Sequence, residues 1–291
     1  DAALQESRNA EAVYGRSVVV LSVAALAAVL LAVLAGLWLT RSIRAPLAHA
    51  VDAADLIIAV SQTEADYYRA LGCGAPVLTI RNGTDRPGRS RRPFEGGELP
   101  AGEYLVFVGS AYPPNVTGFT NFVLSESLYG LPPTKQLAVC GGAADGIFGS
   151  QQYLPHASSY GDRVHFFSRP SDPELHWIQE RSKGTILPIS SGGGSNLKTA
   201  EALCGGKWVI ATPVALRSFE DFEKEKGVLV ARTPKQFRDA MLDVLHGPQL
   251  ELTKKQLEKR HTLYWDNLLE RSGLIAAIKK AASPMTGKVK A

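Results

Sequence analysis

Between two short apolar runs the chain carries Ser190-Ser191-Gly192-Gly193-Gly194-Ser195-Asn196-Leu197-Lys198-Thr199-Ala200-Glu201. The first run ends near Leu187. The second, Trp208-Val209-Ile210-Ala211-Thr212-Pro213, follows the stop Gly205-Gly206-Lys207. The pattern reads as strand, glycine-rich turn, one short helix and strand. A helix that begins just after three glycines and two serines presents unpaired backbone N–H groups and the positive end of its dipole to whatever lies above it. That is chemistry for holding phosphate.

Such a turn needs a sheet to position it, and the surrounding sequence supplies one. From Ala53 onward strands and helices alternate, which predicts an α/β fold: a parallel sheet with helices on its faces. Leu56–Val60 reads as a strand, and Ser61-x-x-Glu64 as a capping box opening a helix that runs to Leu71 and stops at Gly72. Pro76–Ile80 is a second strand, ending in Asn82-Gly83. Residues 87–102, rich in Arg, Pro and Gly, read as an exposed linker. Tyr104–Val108 begins a new sheet unit, followed by Gly109, a turn and N-cap at Tyr112-Pro113-Pro114-Asn115, and a helix from Asn115 to Tyr129. Leu137–Cys140, Val164–Phe167, Thr185–Pro188 and Val228–Val230 are further strands. Pro173–Glu180 is a helix, Thr233-Pro234 caps another, and Leu252–Lys280 is one long amphipathic helical region.

The N-terminal block differs in kind. Ser17 to Thr40 carries no charge, and its length exceeds the roughly 20 residues that cross a bilayer. Arg16 precedes it, Arg41 and Arg44 follow it, and Trp38 lies near one end, as in an anchored span. The arginine bias predicts a single-pass anchor in the inner membrane with the C-terminal side in the cytoplasm. Beginning at Asp1 rather than Met, the chain is expected to lack its native N-terminus.

Composition narrows the partners. The 291 residues carry a net charge of +4, with basic residues spread along the chain and some concentration at Lys279, Lys280, Lys288 and Lys290. No basic run is interleaved with aromatics, so a nucleic-acid partner is not expected. Cys73, Cys140 and Cys204 each sit beside glycine and far from one another, which fits a reducing compartment and no zinc site. His156, His165 and His176 show no ligand spacing, and none is assigned a catalytic role.

Two resemblances follow from particular residues. Thr40-Arg41-Ser42-Ile43-Arg44-Ala45-Pro46-Leu47 resembles the exit of the second membrane helix of chemotaxis-type receptors, where a HAMP linker begins, but the unit breaks off after Val51. Four segments further on, in order, resemble GT-B glycosyltransferases of the family 4 type. Ala54-Asp55-Leu56-Ile57-Ile58-Ala59-Val60-Ser61-Gln62-Thr63-Glu64 is similar to the last strand and helix of their N-terminal domain. Ile80-Arg81-Asn82-Gly83-Thr84-Asp85 resembles their crossover, with Arg81 in place of proline. Val106-Phe107-Val108-Gly109-Ser110, with Tyr112-Pro113-Pro114-Asn115, resembles the first strand of their C-terminal domain in a particular subgroup, and the glycine-rich segment resembles their donor site.

The resemblance implies a Rossmann-like nucleotide-sugar-binding domain and roles for its residues. Glu201 matches the glutamate that holds the ribose hydroxyls, a task suited to a carboxylate that accepts two hydrogen bonds. Gly193 stands where the family's first glutamate would be. Gly194, Ser195 and Asn196 would cradle the diphosphate, with Lys198 adding charge and Gly109 and Ser110 lining the site. Gly109-Ser110-Ala111-Tyr112 stands where a basic residue is common. Plainer readings stay open: Glu201 facing solvent, Lys198 paired with Glu201 at i,i+3, and glycines serving strand–helix packing alone.

The expected organisation is an extracytoplasmic stub (1–16), a transmembrane helix (17–40), a HAMP-like start (41–52), a remnant of the GT-B N-terminal domain with its crossover (53–85), a linker (86–102), the donor domain (103–284) and a basic tail (285–291). The implied function is binding of a UDP- or GDP-type sugar donor without an obligatory metal, since no Asp-x-Asp pair is present. Transfer to a glycan or lipid-linked glycan would need a partner supplying the acceptor half. The alternative is a membrane-anchored sensor, or a fusion whose sheet domain is not catalytic.

Overall fold

The computed structural model describes residues 29–36, 38, 39, 42, 46–88, 90–95, 98–126, 128–192 and 195–282. The chain divides into two compact units, residues 1–57 with 68–76, and residues 58–67 with 77–291.

In the first unit, residues 29–36 and 46–52 are helical. The apolar side chains of the former stand open to solvent, with Val29 65%, Leu31 66% and nearby Trp38 71% exposed. No helix among the described residues is long and apolar enough to cross a membrane. Most of the expected span 17–40, the stub 1–16 and the basic tail 285–291 lie outside the described residues.

Two short strands, β1 (Ile57–Ala59) and β2 (Val77–Thr79), pair with each other and are joined through helix α1 (Gln62–Ala70). The predicted capping device is present with a shifted return bond. Ser61 Oγ accepts the Glu64 N–H at 3.2 Å, while the Glu64 carboxylate accepts from Val60 rather than Ser61, at 3.1 Å.

The second unit is built on a six-stranded parallel sheet. Its strands are β3 (Glu103–Val108), β4 (Lys135–Cys140), β5 (Val164–Phe167), β6 (Gly184–Leu187), β7 (Trp208–Ala211) and β8 (Val228–Val230). Their spatial order is β5-β4-β3-β6-β7-β8. Every ladder is parallel, in registers such as Val106↔Ala138 and Ile186↔Ile210. This is the doubly wound order in which the winding direction reverses between the first and fourth strands, here β3 and β6. Covered on both faces, β3 reads as the apolar run Tyr104–Val108 rather than as an alternating pattern.

The two faces bury different clusters. Leu105, Phe107, Ile186 and Ile210 point to one side, against α2 (Pro113–Phe119), α3 (Ala143–Phe148) and α7 (Pro234–His246), where Phe119, Ile147, Phe237 and Met241 complete the core. The helices of the opposite face are α5 (Asp172–Arg181) and α6 (Leu197–Cys204). There the apolar packing is split in two. Tyr104, Val106 and Ile178 form one cluster, and Leu187, Ala200, Leu203 and Val209 the other. The gap between them falls at the winding reversal.

Three expectations about helices need correction. The helix expected over 115–129 begins at Pro113, where two prolines fit the first turn, and gives way after Phe119 to a π turn over Thr120–Leu124. Ala143–Phe148 and a short α4 (Ala157–Tyr160) are helices that carry no strong start signal in the sequence. The single helical region expected over 252–280 is three helices, α8 (Lys254–His261), α9 (Trp265–Arg271) and α10 (Leu274–Ala282). The first break arises because Tyr264 leaves the helix to form a parallel bridge with Thr84. Gly273, at φ +75°, makes the second.

Candidate functional site

The glycine-rich segment emerges from the carboxyl end of β6, beside the carboxyl end of β3. Asn196 is the N-cap of α6, and its side chain accepts the Lys198 N–H at 3.2 Å. The loop before it is pinned from several sides. Asn82, on the segment after β2, donates its backbone N–H to Ser195 Oγ at 3.1 Å and its side-chain amide to Ser195 O at 2.7 Å. Arg217 donates to the carbonyl of Gly192 at 2.6 Å. Gly192 sits at φ +133°, a conformation open to glycine. Gly193 and Gly194 lie outside the described residues.

Close backbone approach seats α2 against the exit of β6. A Cβ on Gly118, in α2, would fall 2.0 Å from Pro188 O, so only glycine lets α2 rest on the exit of β6.

Lys198 and Glu201 are not paired with each other in the structure's ion pairs; each is drawn to a different element. Lys198 Nζ crosses to the β3 side and donates to Asn115 Oδ1 at 2.7 Å, with the Phe107 ring beneath it at 5.8 Å from the centroid. Asn115 in turn donates to Ser110 O at 3.0 Å and to Ser110 Oγ at 3.1 Å. One buried asparagine thus joins the loop after β3, where Gly109 and Ser110 lie, to the first turn of α6. Burial pulls the Lys198 ammonium down to about 8, opposed by the nearby Glu201 carboxylate. Near neutrality Lys198 is therefore mostly charged, in a partly desolvated setting where a bound anion would favour the charged form further.

Glu201 turns the other way. Its Oε1 accepts from Gln179 of α5 at 2.7 Å, so it is fixed across the gap between the two face helices rather than left in solvent. The gap is a cleft of about 650 Å³ lined by Gln179, Glu201, Thr185, Ala202, Tyr264, residues 84–88, Ser90 and Arg91. Cys204 also lines it, but burial pushes that thiol up to about 12, so it takes no part as a thiolate near neutrality. Among the described residues no group of three His, Cys, Asp or Glu side chains is placed to hold a metal ion.

The structure therefore brings Ser195, Asn196, Lys198, Gly109 and Ser110 to the carboxyl end of the sheet, at its winding reversal, with Glu201 further along α6 on the cleft. Open α/β sheets bind ligands in this crevice, outside the carboxyl ends of the strands. Sequence reasoning missed Asn115 and Gln179 as members of the site. Asn115 stands in a proline-rich turn that reads as capping alone, and Gln179 is an ordinary polar residue on a helix. Nothing local marks Gln179; for Asn115 the one signal was the Tyr112-Pro113-Pro114-Asn115 turn in the resemblance.

No protein-family model matches the chain, and no curated protein matches it in sequence. Solved structures do. Sucrose-phosphate synthase from Thermosynechococcus elongatus aligns with a TM-score of 0.61 at 19% identity, over 81% of this chain and 61% of its own. Anabaena HepE in complex with UDP and glucose aligns with a TM-score of 0.58 at 16% identity, over 78% of this chain and 63% of its own. The pneumococcal O-GlcNAc transferase GtfA in complex with UDP and GlcNAc aligns with a TM-score of 0.52 at 12% identity, over 78% and 45%. These are glycosyltransferases of the GT-B type. The present chain shares their α/β fold and spans less than two thirds of the length of each.

Proposed function

We propose that this chain is the donor-binding half of a family 4 type glycosyltransferase, holding a UDP- or GDP-type sugar in the crevice between the carboxyl ends of β3 and β6. The observation that carries this reading is the division of labour between Lys198 and Glu201. The ammonium is directed to the loop after β3, beside the N-terminus of α6, where a diphosphate would accept from the Ser195 and Asn196 region and from Lys198. The carboxylate faces the cleft, held by Gln179, where ribose hydroxyls would donate to it.

In this reading Lys198 supplies the positive charge that the Gly109-Ser110 turn lacks, and the sugar ring is contacted by backbone N–H groups of the glycine loop around Gly193 and Gly194. The acceptor is bound by a partner or further segment, consistent with the share of the GT-B chains left uncovered. We also propose that the apolar segment 17–40 anchors the chain in the inner membrane with this domain in the cytoplasm, supported by the exposed Val29, Leu31 and Trp38.

The test is calorimetric titration of the full chain with UDP-, GDP- and ADP-sugars. Saturable binding of at least one, competed by the matching nucleoside diphosphate, is the expected result. No heat with any of them at millimolar concentration overturns the reading.

A further inference from the structure

We infer that Asn82 is a positioning residue that fixes Ser195, and with it the start of α6, from outside the sheet. The inference rests on the donor-site reading for its functional consequence, but its structural content stands on hydrogen bonds alone.

Ser195 is the last residue before the N-cap of α6, and it is buried. Both its side chain and its backbone are committed to one distant residue. Ser195 Oγ accepts the Asn82 N–H at 3.1 Å, and Ser195 O accepts the Asn82 side-chain amide at 2.7 Å. Two bonds from one residue fix orientation as well as distance, which a single bond would not. Asn82 itself is held by its neighbours in sequence. Arg81 pairs with Asp221 at 2.5 Å and lies over the Phe219 ring, while Thr84 exchanges backbone bonds with Leu263 and Trp265, each at 3.0 Å. Gly83 has no room for a side chain, because a Cβ would meet Leu263 O at 2.7 Å. The segment 81–84 is therefore a fixed strut, and Asn82 is its point of contact with the loop.

The other end of the loop is tied at Gly192 by Arg217. Only Gly193 and Gly194 separate the two ties. Glycines are the residues least able to hold a backbone in one conformation by themselves. Fixing Ser195 holds the start of α6, where Asn196 caps the Lys198 N–H at 3.2 Å, and a preorganised set of donors binds an anion without a further ordering cost. The identity of residue 82 is then specific. An acid there would set an acceptor against the Ser195 carbonyl, and an alanine would leave that carbonyl without its donor.

The test uses amide hydrogen exchange on the full chain without nucleotide, comparing wild type, Asn82→Ala and Asn82→Asp. UDP affinity is measured alongside. Segment 190–198 should exchange about tenfold faster in Asn82→Ala, as loss of one good hydrogen bond implies, and faster still in Asn82→Asp. Peptides from β3, β4 and β7 should keep their protection, and UDP affinity should fall in the same order. Unchanged exchange at 190–198, an increase spread over the whole sheet, or unaltered UDP affinity in the variants overturns the positioning role. Acceleration confined to 190–198 in a chain that binds no UDP supports the clamp and refutes the donor-site reading instead.

Discussion

If the crevice holds a nucleoside diphosphate as proposed, the depressed pKa of Lys198 makes that binding pH-dependent in a calculable way. Burial brings its ammonium to about 8. If the diphosphate binds only the protonated form, affinity follows the protonated fraction. That fraction is nearly complete at about pH 7 and falls to about one tenth at about pH 9, so the dissociation constant for UDP should rise about tenfold over that interval. The sign is fixed by the direction of the shift: binding is full below the lysine's pKa and is lost as pH rises through it. Replacing Lys198 by Met removes the titrating group. The variant should bind UDP more weakly near neutrality by about 1.5–3 kcal/mol, the range for a hydrogen bond to a charged group. The ratio of variant to wild-type affinity should then approach unity at alkaline pH, which cancels any titration of the nucleotide itself. Calorimetry across the pH series reads both quantities. A wild-type affinity that stays flat through pH 8 relative to Lys198→Met would refute the assignment of this lysine to the phosphate.

Three further substitutions probe separate parts of the account. Glu201→Ala should weaken UDP binding by about tenfold or more, the loss of charge-assisted bonds to hydroxyls, with little change in thermal midpoint; equal affinity would leave Glu201 a surface residue. Gly118→Ala places a methyl 2.0 Å from Pro188 O, so α2 or the β6 exit must shift, at a cost of about 1–3 kcal/mol in urea unfolding; an unaltered midpoint would contradict the close approach. Arg260 is 1% exposed and donates to the carbonyls of Leu203 and Lys207 at 3.3 and 2.8 Å and of Lys226 at 2.8 Å. Arg260→Met should destabilise the fold by about 3 kcal/mol, because one buried and two half-buried acceptors lose their donor, and circular dichroism during thermal unfolding reads that loss.

The strands were legible because a sheet buried on both faces forces apolar runs such as Tyr104–Val108 and Trp208–Ala211, bounded by glycine and proline. The strand–turn–helix around Ser195 was legible for the same reason, with the glycine run marking the turn; that Asn196 caps the helix came from the structure. What escaped the sequence depends on contacts made at long range. The break at Tyr264 exists because Thr84, far away in sequence, captures the backbone there. The helix at Ala143–Phe148 contains Gly146 and starts at Gly142 without a side-chain cap, so local propensity argues against it. The choice between Lys198 pairing with Glu201 and turning away from it could not be made from an i,i+3 spacing. It was settled by Asn115 and Gln179, which lie on opposite sides of the crevice and draw the two charges apart.

A co-crystal structure of the full chain with UDP tests the central claim most directly. The account predicts the diphosphate at the N-terminus of α6 within hydrogen-bond reach of Ser195, Asn196 and Lys198 Nζ, with the ribose hydroxyls on Glu201. A nucleotide bound elsewhere on the sheet, or one in this crevice that leaves Lys198 on Asn115 and Glu201 on Gln179 untouched, would contradict it.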